Sequence, residues 1–91
     1  MPVAEAYLVI KNKVGLHARP ARLLVRTAAQ FQSQIQLQQG GKSANAKSII
    51  GVLKLGAVLG DALVLRAEGE DAEEAVKTLT ELVDRKFDEE E

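Results

Sequence analysis

Pro20 constrains this chain more than any other residue. Its ring fixes φ near a helical value and removes the backbone N–H, so it suits the first turn of a helix and not its interior. It stands at the head of a helical pattern in which Ala21, Leu24, Val25, Ala28 and Phe31 share one face. The helix therefore begins at or just after His17, the single histidine of the chain, and His17 occupies the N-cap region. An imidazole there sits over backbone N–H groups at the positive end of the helix dipole, a ready anion site. Arg19 adds a fixed positive charge with donors suited to phosphate. A nucleophilic nitrogen, an anion cradle and a guanidinium within one turn suit a group that accepts and passes on a phosphoryl group. The plainer alternative is a surface N-cap histidine with no chemistry.

The elements follow from hydrophobic period. Ala4 to Ile10 reads as a strand, with Ala4, Ala6, Leu8 and Ile10 on one face. Asn12 to Leu16 is a loop in which Gly15 gives backbone freedom just before the histidine. The first helix spans Ala18 to about Gln30, with Arg19, Arg22, Arg26 and Gln30 off its apolar face. Leu23 projects to the polar side, either as a singly exposed leucine or as a contact point beside His17. Ser33 to Gln38 alternates as a strand with one wet face, Gln39-Gly40-Gly41-Lys42 is a hairpin turn, and Lys42 to Asn45 is a short second strand.

Ser48 can N-cap a short helix in which Ile49 and Val52 share one stripe, and Ile50 and Leu53 another. So short a helix cannot easily bury both stripes, and one pair is expected to form an exposed apolar patch. Gly56 to Gly60 is a turn and Asp61 to Glu68 a strand. Asp71 is expected to N-cap the last helix, with Glu74 at the capping-box position and a stripe of Ala72, Ala75, Val76, Leu79, Leu82, Val83 and Phe87. Residues 88–91 form an acidic tail. The order βαββαβα predicts an α/β (α+β) open-faced sandwich, a four-stranded antiparallel sheet with its helices on one face.

Composition narrows the function. Ninety-one residues make a single domain, 1–91, with 46% hydrophobic content. A net charge of −1 and only three aromatics argue against nucleic acid, and against a ferredoxin-like RNA-binding sheet. The absence of cysteine and the single histidine give no support for a metal or a disulfide. No stretch is long enough to span a bilayer and nothing resembles a signal peptide, so a cytoplasmic protein is expected.

Gly15-Leu16-His17-Ala18-Arg19-Pro20-Ala21 resembles the active-site motif of HPr, the histidine-containing phosphocarrier family of the bacterial phosphotransferase system. The run from Gly41 to Leu53 is similar to that family's second signature, around a regulatory serine. The resemblance covers essentially the whole chain. It implies that His17 accepts a phosphoryl group on Nδ1 from phosphorylated Enzyme I and donates it to an IIA domain of a sugar permease. The protein is then a carrier rather than an enzyme, and uses no cofactor. Arg19 carries over as the charge partner of the phosphoryl group, and Leu16, Leu23, Ile50 and Leu53 as the partner-binding surface. Ser48 carries over as a site for HPr kinase/phosphorylase, linked to a catabolite-control regulator, beside its role as a cap. Many relatives have methionines where Ile50 and Leu53 stand, and branched aliphatics are stiffer. A monomer is expected, because a carrier presents one face to successive partners. Two other roles fit the same motifs: a regulatory module working through Ser48 and the apolar patch, and a nitrogen-linked relay.

Overall fold

A computed structural model of the protein describes residues 1–88. Its elements are β1 (Val3–Val9), α1 (Ala18–Ala28), β2 (Gln34–Gln39), β3 (Lys42–Asn45), α2 (Ile49–Leu55), β4 (Ala62–Glu68) and α3 (Ala72–Asp84), followed by a short turn at Lys86–Asp88. The four strands form one antiparallel sheet in the order β1-β4-β2-β3, the expected βαββαβα sandwich.

Alternation along the strands sorts the sheet into a dry and a wet face. Leu8, Ile35, Leu37, Ala44, Leu63, Leu65 and Ala67 are buried on the side that carries the helices. There α3 packs over β1 and β4, α2 packs over β3, and α1 packs against α2 and α3. The other side holds Glu5, Tyr7, Gln36, Gln38 and Arg66, with Arg66 opposite both Glu5 and Gln36 in register. The Arg66–Glu5 ion pair (3.2 Å) is exposed, so it contributes little to stability.

Two expectations at the last helix are corrected. Asp71 does occupy the N-cap of α3, but its side chain makes no capping hydrogen bond. The carboxylate turns away and accepts from the backbone N–H groups of Gln32 (2.8 Å) and Ser33 (2.9 Å), and from Ser33 Oγ. These bonds, the Ser33 hydroxyl foremost, hold the Asp71 pKa below the usual aspartate value. The contact is close enough that a Cβ on Gly69, at φ +151°, would lie 2.6 Å from Ser33 Oγ. The cap is thus spent on a tertiary tie between the α1–β2 connection and the start of α3.

Phe87, expected as the last residue of the helical stripe, lies outside the helix. α3 stops at Asp84, and Lys86, Phe87 and Asp88 all take positive φ, near 58°. This left-handed turn is unfavourable for residues with a side chain, and it swings Phe87 back into the core, where it is buried. Of the acidic tail, Asp88 is exposed and accepts from Arg85 Nε at 3.0 Å; residues 89–91 lie outside the described residues.

Candidate functional site

The loop before His17 is built by backbone contacts. Asn12 Nδ2 donates to the Gly15 carbonyl (2.8 Å), and the Leu16 N–H donates to the Ala57 carbonyl (2.9 Å). Gly15 sits at φ +68°, and a Cβ there would lie 2.4 Å from the Ala57 oxygen. No other residue fits this position, because both the conformation and the space exclude a side chain. The loop therefore delivers His17 to the head of α1 from a fixed direction.

His17 is the N-cap of α1, with extended backbone at φ −80° and ψ −172°. Its carbonyl accepts the Ala21 N–H at 2.9 Å, which closes the first turn. Its imidazole is exposed and makes no capping hydrogen bond. Pro20 is buried in that turn and has no N–H to satisfy. The first turn contains no acidic residue, so nothing within it opposes an anion at the positive helix end. Arg19 is exposed on the same turn.

Ser48 is the N-cap of α2, and its Oγ accepts the Gly51 N–H at 3.1 Å. Its own N–H donates to the Asn45 carbonyl, and its carbonyl accepts the Val52 N–H. The adjacent Lys47 donates from Nζ to the Phe31 carbonyl at 2.6 Å, tying this segment to the end of α1.

The apolar surface differs from expectation in one respect. Ile50 is 65% exposed and Leu53 40% exposed, whereas Val52 is fully buried, so the stripe of Ile50 and Leu53 is the patch. Ile49 stays partly exposed as well. Leu23 is half-buried, packed against the core from α1. Leu16, expected on the surface, is only 3% exposed: the bond from its N–H to Ala57 turns its side chain into the core. It offers no docking surface.

Sequence reading passed over Val14, Val58 and Leu59, each more than half exposed on the paired loops around the Leu16–Ala57 bond. The available signal was apolar residues in segments that otherwise read as turns. It also passed over charge segregation. α1 carries Arg19, Arg22 and Arg26 and no acid, whereas α3 carries Glu73, Glu74, Glu81 and Asp84 against Lys77. The near-zero net charge conceals a basic helix beside His17.

A groove of about 490 Å³ lies on the wet sheet face, among Gln34, Gln36, Asn45, Lys47 and Arg66. None of its lining residues belongs to the His17 loop. Among the described residues, no group of three His, Cys, Asp or Glu side chains is placed to hold a metal, and no helix is long and apolar enough to cross a membrane.

Known proteins resemble the chain in both sequence and fold. The family model described as the PTS HPr component phosphorylation site matches residues 4–85. Phosphocarrier protein HPr of Xylella fastidiosa (strain 9a5c) is 44% identical over 85 residues, covering 93% of this chain and 96% of that protein. Phosphocarrier protein NPr of Shewanella violacea is 42% identical over 89 residues, covering 98% of each. The crystal structure of HPr-C-His from Thermoanaerobacter tengcongensis matches with a TM-score of 0.93 at 51% identity, covering 97% of this chain and 99% of that one. The chain belongs to the HPr family of phosphotransferase-system phosphocarriers.

Proposed function

We propose that His17 accepts a phosphoryl group from phosphorylated Enzyme I and passes it to an IIA domain of a sugar permease. The observation that carries this reading is an exposed N-cap imidazole whose ring is not spent on capping, at the head of a basic helix. In the accepting step the unprotonated ring nitrogen attacks phosphorus, the bond between phosphorus and the donor breaks, and its electron pair stays with the donor. The product phosphate lies at the positive end of α1 with Arg19 beside it, so charge stabilises it without a metal. The return step runs the same geometry in reverse. The chain contributes a site and no turnover of its own, which is the behaviour of a carrier.

Docking is assigned to Ile50 and Leu53 on α2, with Leu23 at its margin. The arginines of α1 favour partners with an acidic rim. Leu53→Asp is expected to raise KM for Enzyme I about tenfold with kcat unchanged; an unchanged KM removes Leu53 from the interface. Ser48 is proposed as a regulatory phosphorylation site for an HPr kinase/phosphorylase, with recruitment of a catabolite-control regulator. A phosphate there would meet the N-terminus of α2 and place negative charge beside the apolar patch. Incubation with ATP and such a kinase tests it, and a chain unmodified at Ser48 ends the idea.

We propose a monomer. An HPr from Thermoanaerobacter tengcongensis has been crystallised as a dimer, and sedimentation across a concentration series separates the two states for this chain. The NPr relative favours a second reading, a nitrogen-linked relay with its own Enzyme I and IIA partners. Intact mass after incubation with phosphoenolpyruvate and either Enzyme I tests both readings. One acid-labile phosphate, absent from His17→Ala, supports the carrier, and the Enzyme I that supplies it identifies the branch. No addition with either validated enzyme overturns it.

A further inference from the structure

The turn between α2 and β4 carries one inference, which rests on His17 as the phosphoryl acceptor. Asp61 closes this turn twice. Its N–H donates to the Val58 carbonyl (2.9 Å), and its Oδ2 accepts the Val58 N–H (2.9 Å). The same Oδ2 accepts from Gln39 Nε2 at 2.9 Å, which pins the turn to the end of β2. The Asp61 carbonyl accepts the Ile10 N–H, and the Gly60 N–H donates to the Ile10 carbonyl, both at 2.9 Å, so the turn is also joined to the chain leaving β1. One residue ahead of Val58, the Ala57 carbonyl holds the Leu16 N–H. Gly15 lies so close to this turn that a Cβ on it would sit 2.8 Å from Val58 Cα.

We propose that Asp61 is a positioning residue for His17. Its carboxylate fixes the turn, the turn fixes the Ala57 carbonyl, and that carbonyl holds the residue immediately before the histidine. Loss of the carboxylate strands the Gln39 amide in a partly buried setting, where an unmet donor is costly, and releases the exposed Val58 N–H from the bond that closes the turn. The turn then loosens, and the N-cap histidine loses its fixed approach to an incoming phosphorus. No docking side chain is altered.

The test compares wild type, Asp61→Ala and Asp61→Asn in two assays. One is phosphoryl acceptance from phosphorylated Enzyme I across carrier concentrations. The other is amide hydrogen exchange at Leu16, with Leu37 and Leu65 as core references. Asp61→Ala is expected to lower kcat about three- to tenfold with KM unchanged, as small misplacements of a reacting group do. Leu16 exchange should rise about tenfold more than exchange at the core references, the mark of local opening. Asp61→Asn retains an acceptor oxygen and should recover most of both. An alanine variant with wild-type kcat, or one in which Leu16 exchange rises only in step with Leu37 and Leu65, overturns the proposal. Should Asp61→Ala fail to fold, Gln39→Leu removes one of the two donors, and no change in kcat or Leu16 exchange overturns it equally. A wild type that accepts no phosphoryl group defeats the reading of His17 instead, while the exchange comparison still tests the tie.

Discussion

At the start of α1 the N-cap is His17, with extended backbone and a ring that makes no capping bond; at the start of α2 it is Ser48, whose hydroxyl accepts the Gly51 N–H. The two helices can be treated differently because they are held differently. α1 has eleven residues and buries Pro20, Ala21, Leu24 and Ala28, so tertiary packing secures it without a side-chain cap. Pro20 also removes one of the donors that a cap would serve. α2 has seven residues and buries only Val52 and Leu55, and so short a helix depends on its cap. A well-packed helix can leave its N-cap side chain for chemistry, whereas a marginal one commits that side chain to structure.

Several substitutions break or sharpen this contrast. The largest effect is expected from His17→Ala, which should abolish phosphoryl acceptance while shifting stability by no more than about 0.5 kcal/mol, the usual scale for an exposed side chain. Intact mass and a urea melt check both halves, and a clear loss of stability would show that the ring also supports the fold. Next is Gly15→Val, which forces a branched side chain into a left-handed position against the Ala57 carbonyl. A loss of about 2–5 kcal/mol is expected from strain and overpacking together. A chain of wild-type stability would mean that the His17 loop is not built on that contact.

Ser48→Ala should cost about 1 kcal/mol through the lost cap and leave phosphoryl acceptance intact. The reverse pattern, unchanged stability with slower acceptance, would place Ser48 in the chemistry.

The smallest effect separates both caps from Asp71, an N-cap residue whose carboxylate serves a different segment. Its folded pKa is depressed. Its contribution is therefore complete above the unfolded value of about 3.9 and is lost as pH falls through the lower folded value. Urea midpoints measured from neutral pH down into that acid range should fall more steeply for wild type than for Asp71→Asn. Parallel acid limbs would remove Asp71 as a source of the pH dependence.

Much of the fold is legible in the residues alone. Strand alternation and helical spacing place every element to within a few residues, because each strand has one buried face and each long helix a clean stripe. The position of Pro20 sets the start of α1, and the competing stripes of α2 imply an exposed pair, which is Ile50 and Leu53. The misses share one cause. Asp71 has the sequence of a capping box, but a rival set of donors at Gln32 and Ser33 lies nearly forty residues away and takes its carboxylate. Leu16 stands beside an exposed histidine in sequence, yet a bond to Ala57 turns it inward. Val14 lies on one of the two loops joined by that same bond, and Val58 and Leu59 lie on the other. Local pattern predicts local structure, and it is silent on contacts that the topology creates.

The topology also has a consequence for when the molecule becomes competent. β1 lies beside β4, and Val3 is in register with Glu68. A chain leaving the ribosome exposes His17 early, but the sheet partner of its first strand and the carbonyl that holds Leu16 are made much later. Pairings this distant close a long loop and are slow to form. The His17 end therefore takes its final shape only once β4 and the turn before it have joined the fold.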